Sequence, residues 1–196
     1  MKVLLDTSAL IALSGIGRTA SGSDFVDACR RDGILLCVTH IQIDEKVTRE
    51  YDEYQTKIDC AVAALRDLGL SLQMEDTTIA VYGISRYGLA RYCGEAESQL
   101  YDRLRQLISE CTKKRGKTVE DANIICDAVI AVSALDHDVF AVCDECLSQS
   151  LQRAIINHPD LSSRVPKVVF TRPDPESVAT DILSAVESRR SQSDER

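Results

Sequence analysis

The chain has 196 residues, of which 44% are hydrophobic and 28% are charged, and its formal net charge is -8. This length suits a single globular domain with a sizeable core. The excess of acidic residues argues against sequence-independent nucleic-acid binding through bulk charge. Apolar runs are too short to span a membrane, and Asp6 interrupts the N-terminus, which makes it a poor signal peptide. We therefore expect a cytoplasmic protein.

Short apolar runs rich in branched residues alternate with helical patterns along the chain. The runs predict buried parallel strands at 2–5, 34–39, 139–142 and 167–170. Helical periodicity is clearest at 40–67, 95–115, 119–136 and 175–190. The segment 70–92 is ambiguous, and "TIAVYG" within it is the candidate for a further strand. The pattern indicates an α/β fold with a mostly parallel sheet.

Acidic residues fall where an open parallel sheet collects its ligands, beyond the carboxyl ends of the strands. Asp6 directly follows "KVLL", and Asp144 directly follows "VFAVC". Glu45 lies in the second turn of a helix whose start, Thr39 followed by Gln42, fits a capping box. Each acid has an alternative interpretation, because Asp6 and Asp144 are also placed to cap helices and Glu45 belongs to a polar stretch.

Asp127 is the one charged residue in "IICDAVIAVSAL", a stretch that reads as a wholly buried helix. A lone ionised carboxylate is costly to bury, and carboxylates that share a cleft need a cation to offset their repulsion. Oxygen ligands favour Mg²⁺ or Mn²⁺. We therefore expect one or two such ions to be held by Asp6, Glu45, Asp127 and Asp144.

Three segments resemble the PIN-domain ribonucleases, especially the VapC-like toxins and related archaeal PIN-domain proteins. "VLLDTSALIAL" is similar to their opening strand and first acid, and "VTHIQIDEK" to the segment in which Thr or Ser precedes the second acid by six residues. "DAVIAVSALDHDVFAVCDECL" resembles the run from the third acid to the fourth. The resemblance covers residues 1–51 and about 117–150, whereas 52–116 is longer than in compact VapC toxins.

The resemblance implies a PIN-like three-layer α/β/α fold with four to five strands in the sheet. It also implies a Mg²⁺- or Mn²⁺-dependent endoribonuclease, which acts as a toxin of a toxin–antitoxin pair or in RNA processing, and frequent homodimers. Residues 1–172 would form a single domain with a long helical middle segment at about 52–116. Within residues 173–196, Val178, Ile182, Leu183 and Val186 are spaced as on one apolar helical face. This spacing predicts a C-terminal helix, which packs on the domain or holds a partner such as an antitoxin, followed by a frayed polar tail.

Carried over residue by residue, the metal-binding acids are Asp6, Glu45, Asp127 and Asp144, and Ser8 lies close enough to contact phosphate or a metal-bound water. The stretch from Arg86 to Lys117 carries eight basic residues against four acidic ones. The bases expected to guide RNA are Arg86, Arg91, Lys113, Lys114 and Arg115, with Tyr87 and Tyr92 placed to stack on bases. The alternative interpretation is a solvated helix face with packing tyrosines.

Several positions depart from the family's pattern or leave the ligand set open. Val142 stands where a hydroxyl residue is common, two positions before the fourth acid. The fourth acid, Asp144, is followed by Glu145, and the second acid, Glu45, is preceded by Asp44. Asp121 lies six residues before the third acid, Asp127. We favour Asp144 over Glu145 because an apolar residue, Leu147, then follows three positions later.

Other interpretations are weaker. The eight cysteines are expected to be mostly reduced and buried, because several lie within apolar runs. "CDEC" (143–146) has the spacing of a redox pair or half of a zinc site, without the other features of either. A haloacid-dehalogenase-like phosphatase would need a second acid where the chain has Ser8. The main alternative is a catalytically weak PIN-like RNA-binding or scaffold protein.

Overall fold

The structure is a computed structural model that describes residues 1–43, 51–79, 93–116 and 121–194. The strands are β1 (Lys2–Leu5), β2 (Leu35–Thr39), β3 (Leu72–Glu75), β4 (Val139–Val142) and β5 (Lys167–Phe170). The helices are α1 (Thr7–Leu13), α2 (Gly22–Arg31), α3 (His40–Ile43), α4 (Tyr51–Asp67), α5 (Glu95–Lys114), α6 (Asp121–Ser133), α7 (Glu145–Ile155) and α8 (Pro175–Asp194). Short 3₁₀ helices occupy Ile16–Arg18, Ala134–Asp136 and Pro159–Arg164.

All five strands are parallel and lie in the order β3-β2-β1-β4-β5. Central strand β1 pairs with β2 on one side, with Leu4 opposite Cys37, and with β4 on the other, with Leu5 opposite Ala141. The expected mostly parallel sheet of four to five strands is therefore confirmed.

The position of the edge strand β3 differs from the expected "TIAVYG". Strand β3 is formed by Leu72–Glu75, whereas Thr78 and Ile79 lie in a bend and the rest of that motif falls outside the described residues. An edge strand pairs on one side only and tolerates polar residues such as Gln73. It therefore lacks the continuous apolar run by which the central strands were predicted.

Alternating side chains of the central strands build two cores, one on each face of the sheet. Leu4 and Phe140 point to the face covered by α5, α6 and α7. Val3 and Val139 point to the opposite face, which α1, α2, α4 and α8 cover. The protein therefore has three α/β/α layers, as expected.

Helix α8 belongs to the second helical layer. Its residues Val178 and Ile182 are fully buried, and the Arg190 guanidinium lies 2.8 Å from an Asp32 carboxylate oxygen. The apolar face noted in the sequence is therefore packed on the domain. In the described ranges, no helix has both the length and the apolar character that crossing a membrane requires.

The helices agree with the predicted periodicity over most of their lengths. The predicted helix 40–67 corresponds to α3 and α4, with 44–50 outside the described residues. Helix α5 ends within one residue of the predicted 95–115, and α6 is followed by a 3₁₀ turn that ends at Asp136. The periodic pattern did not predict α2, whose ten residues include five charged or hydroxyl side chains and a glycine.

Candidate active site

Asp6 lies at the carboxyl edge of the sheet, where the apolar residues of β1 end. Its extended backbone makes it the N-cap of α1, and its Oδ1 accepts a 2.5 Å hydrogen bond from the Ala9 amide. Its Oδ2 accepts from the Cys143 amide at 3.2 Å, just beyond β4. The side chain is 4% exposed. Both carboxylate oxygens are therefore held in fixed positions between two neighbouring strand ends.

The environment of Asp6 disfavours its ionised form. Burial, the larger cause, and the nearby Asp144 carboxylate together raise the pKa of Asp6 from 3.8 to about 7. The amide hydrogen bonds from Ala9 and Cys143 oppose this effect without cancelling it. A cation at this position would remove the repulsion and keep Asp6 ionised.

Asp144 leaves the neighbouring strand β4 at the same edge. It is the N-cap of α7, and its Oδ1 accepts from the Leu147 amide at 2.8 Å. It is exposed, and it interacts electrostatically with Asp6. The structure therefore brings the first and fourth predicted acids together. It also gives both of them the helix-capping role that was the alternative interpretation.

The neighbouring Glu145 has a different partner. Its Oε2 lies 2.6 Å from Nη2 of Arg115, the residue that ends α5. Leu147 is buried at the position where the family pattern has an apolar residue. Both observations favour Asp144 over Glu145 as the acid that faces the site.

Asp127 lies in the second turn of α6, which packs against α5, α7 and α3. The side chains of Asp127 and Ile125 are half-buried, so the expectation of a wholly buried helix is wrong on this face. Every residue from Ala128 to Leu135 is buried, as expected, and this includes the polar Ser133. That Asp127 joins Asp6 and Asp144 stays a prediction.

Glu45 lies outside the described residues, as do Asp44, Arg86, Arg91, Tyr87 and Tyr92. The segment that leads to Glu45 is nevertheless anchored beside β1. The Gln42 Oε1 accepts from the Thr39 amide at 2.7 Å, and its Nε2 donates to the Leu5 carbonyl at 2.8 Å. The predicted cap at Thr39 thus has a second role, because Gln42 connects α3 to the residue before Asp6.

Two hydroxyl residues follow Asp6. Ser8 is half-buried in the first turn of α1, while Thr7 is buried, and its Oγ1 accepts from the Gln42 Nε2 at 3.5 Å. Ser8 is therefore the more accessible candidate for contacting phosphate. Val142, which departs from the hydroxyl residue of the PIN-domain pattern, is fully buried in β4 as a core residue.

The basic end of α5 is held next to the start of α7. Lys113 and Lys114 are exposed in the last turn of α5. A disulfide joins Cys111 to Cys146, with 5.7 Å between their Cα atoms. The bases expected to bind substrate and the acid Asp144 therefore lie on two helix ends that are covalently linked.

This disulfide corrects two expectations about the cysteines. The expectation of reduced thiols is wrong for Cys111 and Cys146. The interpretation of "CDEC" as a redox pair or zinc half-site is also wrong, because Cys143 is free and Cys146 has another partner. Cys146 belongs to α7 and faces α5, whereas Cys143 precedes the helix and packs against the opposite core.

A second polar group was not predicted from the sequence. Cys37, Glu75 and His137 place their ligand atoms within 4.8 Å of one another, on the face of the sheet covered by α5, α6 and α7. They come from β2, β3 and the turn before β4, and their separations in the chain match no metal-binding motif. Pairing of β2 with β3, together with the turn that follows α6, brings them together.

No family model matches the chain, and no curated protein matches it either. Among solved structures, the chain is similar to one in the crystal structure of VapBC2 from Rickettsia felis bound to a DNA fragment from their promoter. The TM-score is 0.36 and the identity is 10%, over 86% of this chain and 98% of that chain. The parallel sheet between two helical layers is consistent with a PIN-like α/β/α fold. The function is therefore inferred from this chain's own side chains.

Proposed function

We propose that the protein is a metal-dependent endoribonuclease of the PIN-domain type that hydrolyses RNA phosphodiester bonds. Asp6, Glu45, Asp127 and Asp144 would hold Mg²⁺ or Mn²⁺. One observation carries the proposal. Asp6 and Asp144 leave neighbouring parallel strands at the same edge and repel each other, and the buried Asp6 has its pKa raised to about 7.

The donor set fits a hard divalent cation. Carboxylate oxygens are the ligands that Mg²⁺ and Mn²⁺ prefer, and a doubly positive charge would offset the repulsion between Asp6 and Asp144. When bound, such an ion supplies Lewis-acid polarisation of phosphate and a water of lowered pKa.

The protein's own groups would orient these partners. The Ala9 and Cys143 amides fix the two oxygens of Asp6, and the Gln42 side chain connects α3, which precedes Glu45 in the chain, to β1. Lys113 and Lys114 add positive charge beside α7, where the RNA backbone would pass. Ser8 would donate a hydrogen bond to a phosphate oxygen.

The biological setting is part of the same proposal. The family resemblance implies either a toxin controlled by an antitoxin or a role in RNA processing, and it implies homodimers. The mass of the purified protein in solution tests the dimer. Co-expression with the product of the neighbouring gene tests the antitoxin, because a toxin should be inhibited by that product.

A scaffold or RNA-binding module without catalysis is the second candidate. It is favoured by the capping bonds of Asp6 and Asp144, which give both acids a structural role without any metal. The buried Val142, in place of a hydroxyl residue, points the same way.

Cleavage of a labelled single-stranded RNA in Mn²⁺ distinguishes the two candidates. The variant is Asp6→Asn, and the matched control is Asp138→Asn, which alters a carboxylate bonded to the Lys2 amide at the opposite edge of the sheet. The nuclease predicts cleavage by the wild type and the control but not by Asp6→Asn. Equal cleavage by all three proteins would refute the assignment to this site. RNA binding without cleavage by any of them would favour the scaffold.

A further inference from the structure

We propose that Cys37, Glu75 and His137 form a zinc-binding site, distinct from the acids at the carboxyl edge of the sheet. Sulfur, nitrogen and carboxylate oxygen are together the ligand set that Zn²⁺ takes in proteins, whereas Mg²⁺ and Mn²⁺ prefer oxygen alone.

The three side chains converge on one face of the sheet. Cys37 is fully buried in the middle of β2, and Glu75 ends the adjacent edge strand β3. His137 follows the 3₁₀ turn after α6 and is 7% exposed. The Glu75 side chain is 16% exposed, so the group is enclosed by protein on most sides.

His137 has the hydrogen-bond pattern of a metal ligand. Its Nδ1 lies 3.0 Å from the Ser133 carbonyl, which can only accept, so Nδ1 carries the proton. In the neutral ring, Nε2 then has a free lone pair. Nε2 is buried and has no hydrogen-bond partner within the described part of the chain. Metal-binding histidines commonly donate their other N–H to a carbonyl in this way, and a buried acceptor left unpaired is costly.

The neutral form of His137 is supported by its surroundings, because burial lowers its pKa. The hydrogen bond to the Ser133 carbonyl and the charges of Glu75 and Asp136 favour the protonated ring, whereas Lys2 opposes it. Burial is the largest of these effects.

The distance between the Cys37 and Glu75 ligand atoms suits tetrahedral coordination, and all three ligand atoms lie within 4.8 Å of one another. The Cys37 Sγ lies 3.8 Å from the Glu75 Oε1. Ligands of a tetrahedral zinc ion, with Zn–S and Zn–O distances of about 2.3 and 2.1 Å, lie about 3.6 Å apart. Small side-chain movements would therefore complete a three-ligand site with an open fourth position for water. The Cys37 thiol would release its proton to solvent as the thiolate binds.

Lys2 is the competing cation. Its Nζ lies 2.6 Å from the Glu75 Oε1, and its side chain is 43% exposed, so it can move into solvent. A zinc ion would displace this ammonium from Glu75. Because exposed ion pairs are weak, Lys2→Met should tighten metal binding by about two- to fivefold.

Cobalt titration of the full-length chain, freed of metal with a chelator, tests the site. Co²⁺ substitutes for Zn²⁺ and gives a thiolate-to-metal absorption band only when sulfur is a ligand. We expect one equivalent with this band in the wild type, displaced by Zn²⁺. Cys37→Ser should abolish the band, and His137→Gln should weaken binding by about tenfold or more. The matched control is Cys29→Ser, another buried free cysteine, which should leave the band unchanged.

The Lys2→Met variant keeps the inference testable if Cys37→Ser fails to fold. Tighter cobalt binding by Lys2→Met supports the site, and unchanged or weaker binding contradicts it. Persistence of the thiolate band in a folded Cys37→Ser protein, or absence of the band from the wild type, would also overturn it. None of these readouts depends on RNA cleavage.

Discussion

Replacing Asp6 by asparagine should stabilise the metal-free protein at and above neutral pH. The pKa of Asp6 is raised from 3.8 to about 7 by burial and by the charge of Asp144. Because the folded-state pKa exceeds the unfolded one, the stability linked to this group is fully present below about pH 3.8. It is lost progressively as the pH rises to about 7. At about 1.4 kcal/mol per pH unit, the loss above pH 7 amounts to about 4 kcal/mol.

The substitution also removes one favourable interaction. The new amide oxygen can still accept from the Ala9 amide, but the new NH₂ group would face the Cys143 amide, which is also a donor. Losing that hydrogen bond costs about 1 kcal/mol. The net gain above pH 7 is therefore about 3 kcal/mol, which for a chain of this size raises the melting temperature by about 6 to 12 °C.

Urea unfolding with a chelator present, at about pH 5 and about pH 8, measures this effect. The wild type should lose about 3 kcal/mol between the two pH values through Asp6, and Asp6→Asn should not lose this increment. Asp32→Asn is the control of opposite sign, because Arg190 and Arg31 lower the pKa of Asp32. The ionised Asp32 therefore stabilises the folded protein at both pH values, and Asp32→Asn should be less stable than the wild type at each of them. Parallel pH profiles for wild type and Asp6→Asn would refute the reasoning.

Three further predictions concern the surroundings of the site. Cys111→Ser should lower the free energy of unfolding by about 3 to 4 kcal/mol, measured with urea, because it opens a loop of 35 residues. Replacing Lys113 and Lys114 together by glutamine should weaken RNA binding. The slope of log affinity against log salt should fall by about 0.7 for each phosphate that the variant no longer neutralises. Gln42→Ala should destabilise the protein by about 1 to 3 kcal/mol, because it leaves the buried Leu5 carbonyl without this donor. It should also weaken Mn²⁺ binding, measured by calorimetry.

The disulfide and lysine predictions each have a matched control. Cys60→Ser alters an exposed free cysteine and should leave the unfolding free energy unchanged. Arg66→Gln combined with Arg153→Gln removes two exposed bases elsewhere and should keep the salt slope. An unchanged slope in the Lys113 and Lys114 variant would remove the end of α5 from the RNA path. Unchanged Mn²⁺ affinity in Gln42→Ala would limit that residue to a structural role.

The central strands could be predicted from sequence because burial on both faces requires continuous apolar residues. β1 and β4 begin and end at the predicted residues, and β2 differs by one; the edge strand β5 also begins and ends as predicted. The same reasoning placed Asp6 and Asp144 correctly, because the chain must become polar where a buried strand meets the open edge of the sheet. β3 and β5 are both edge strands, but β5 keeps the apolar run "KVVF", whereas half of the residues of β3 are polar, so β3 has no such signature and was misplaced.

Pairings between distant elements could not be read from the sequence. The Cys111–Cys146 disulfide depends on how α5 packs on α7, which neither helix's periodicity specifies. The spacing of "CDEC" suggested a local pair instead. However, Cys143 precedes α7 and packs on one side of the sheet, whereas Cys146 lies in the first turn of α7 and faces α5. Cys37 and His137 illustrate the same limit, since they are 100 positions apart in the chain and are brought together by strand pairing and by the turn that follows α6.

Strand β4 connects the two proposed metal sites. His137 precedes this strand and Asp144 follows it, so the sites are separated by at least its four residues, or about 13 Å. Their donors differ as sharply as their positions. Sulfur and imidazole lie on the enclosed face, where water has little access, whereas oxygens alone gather at the open edge, where a phosphodiester could approach. Zn²⁺ and Mn²⁺ should therefore partition between the two sites by ligand chemistry. For this reason a thiolate absorption band and RNA cleavage report on different ends of one strand, and the loss of either signal leaves the other interpretable.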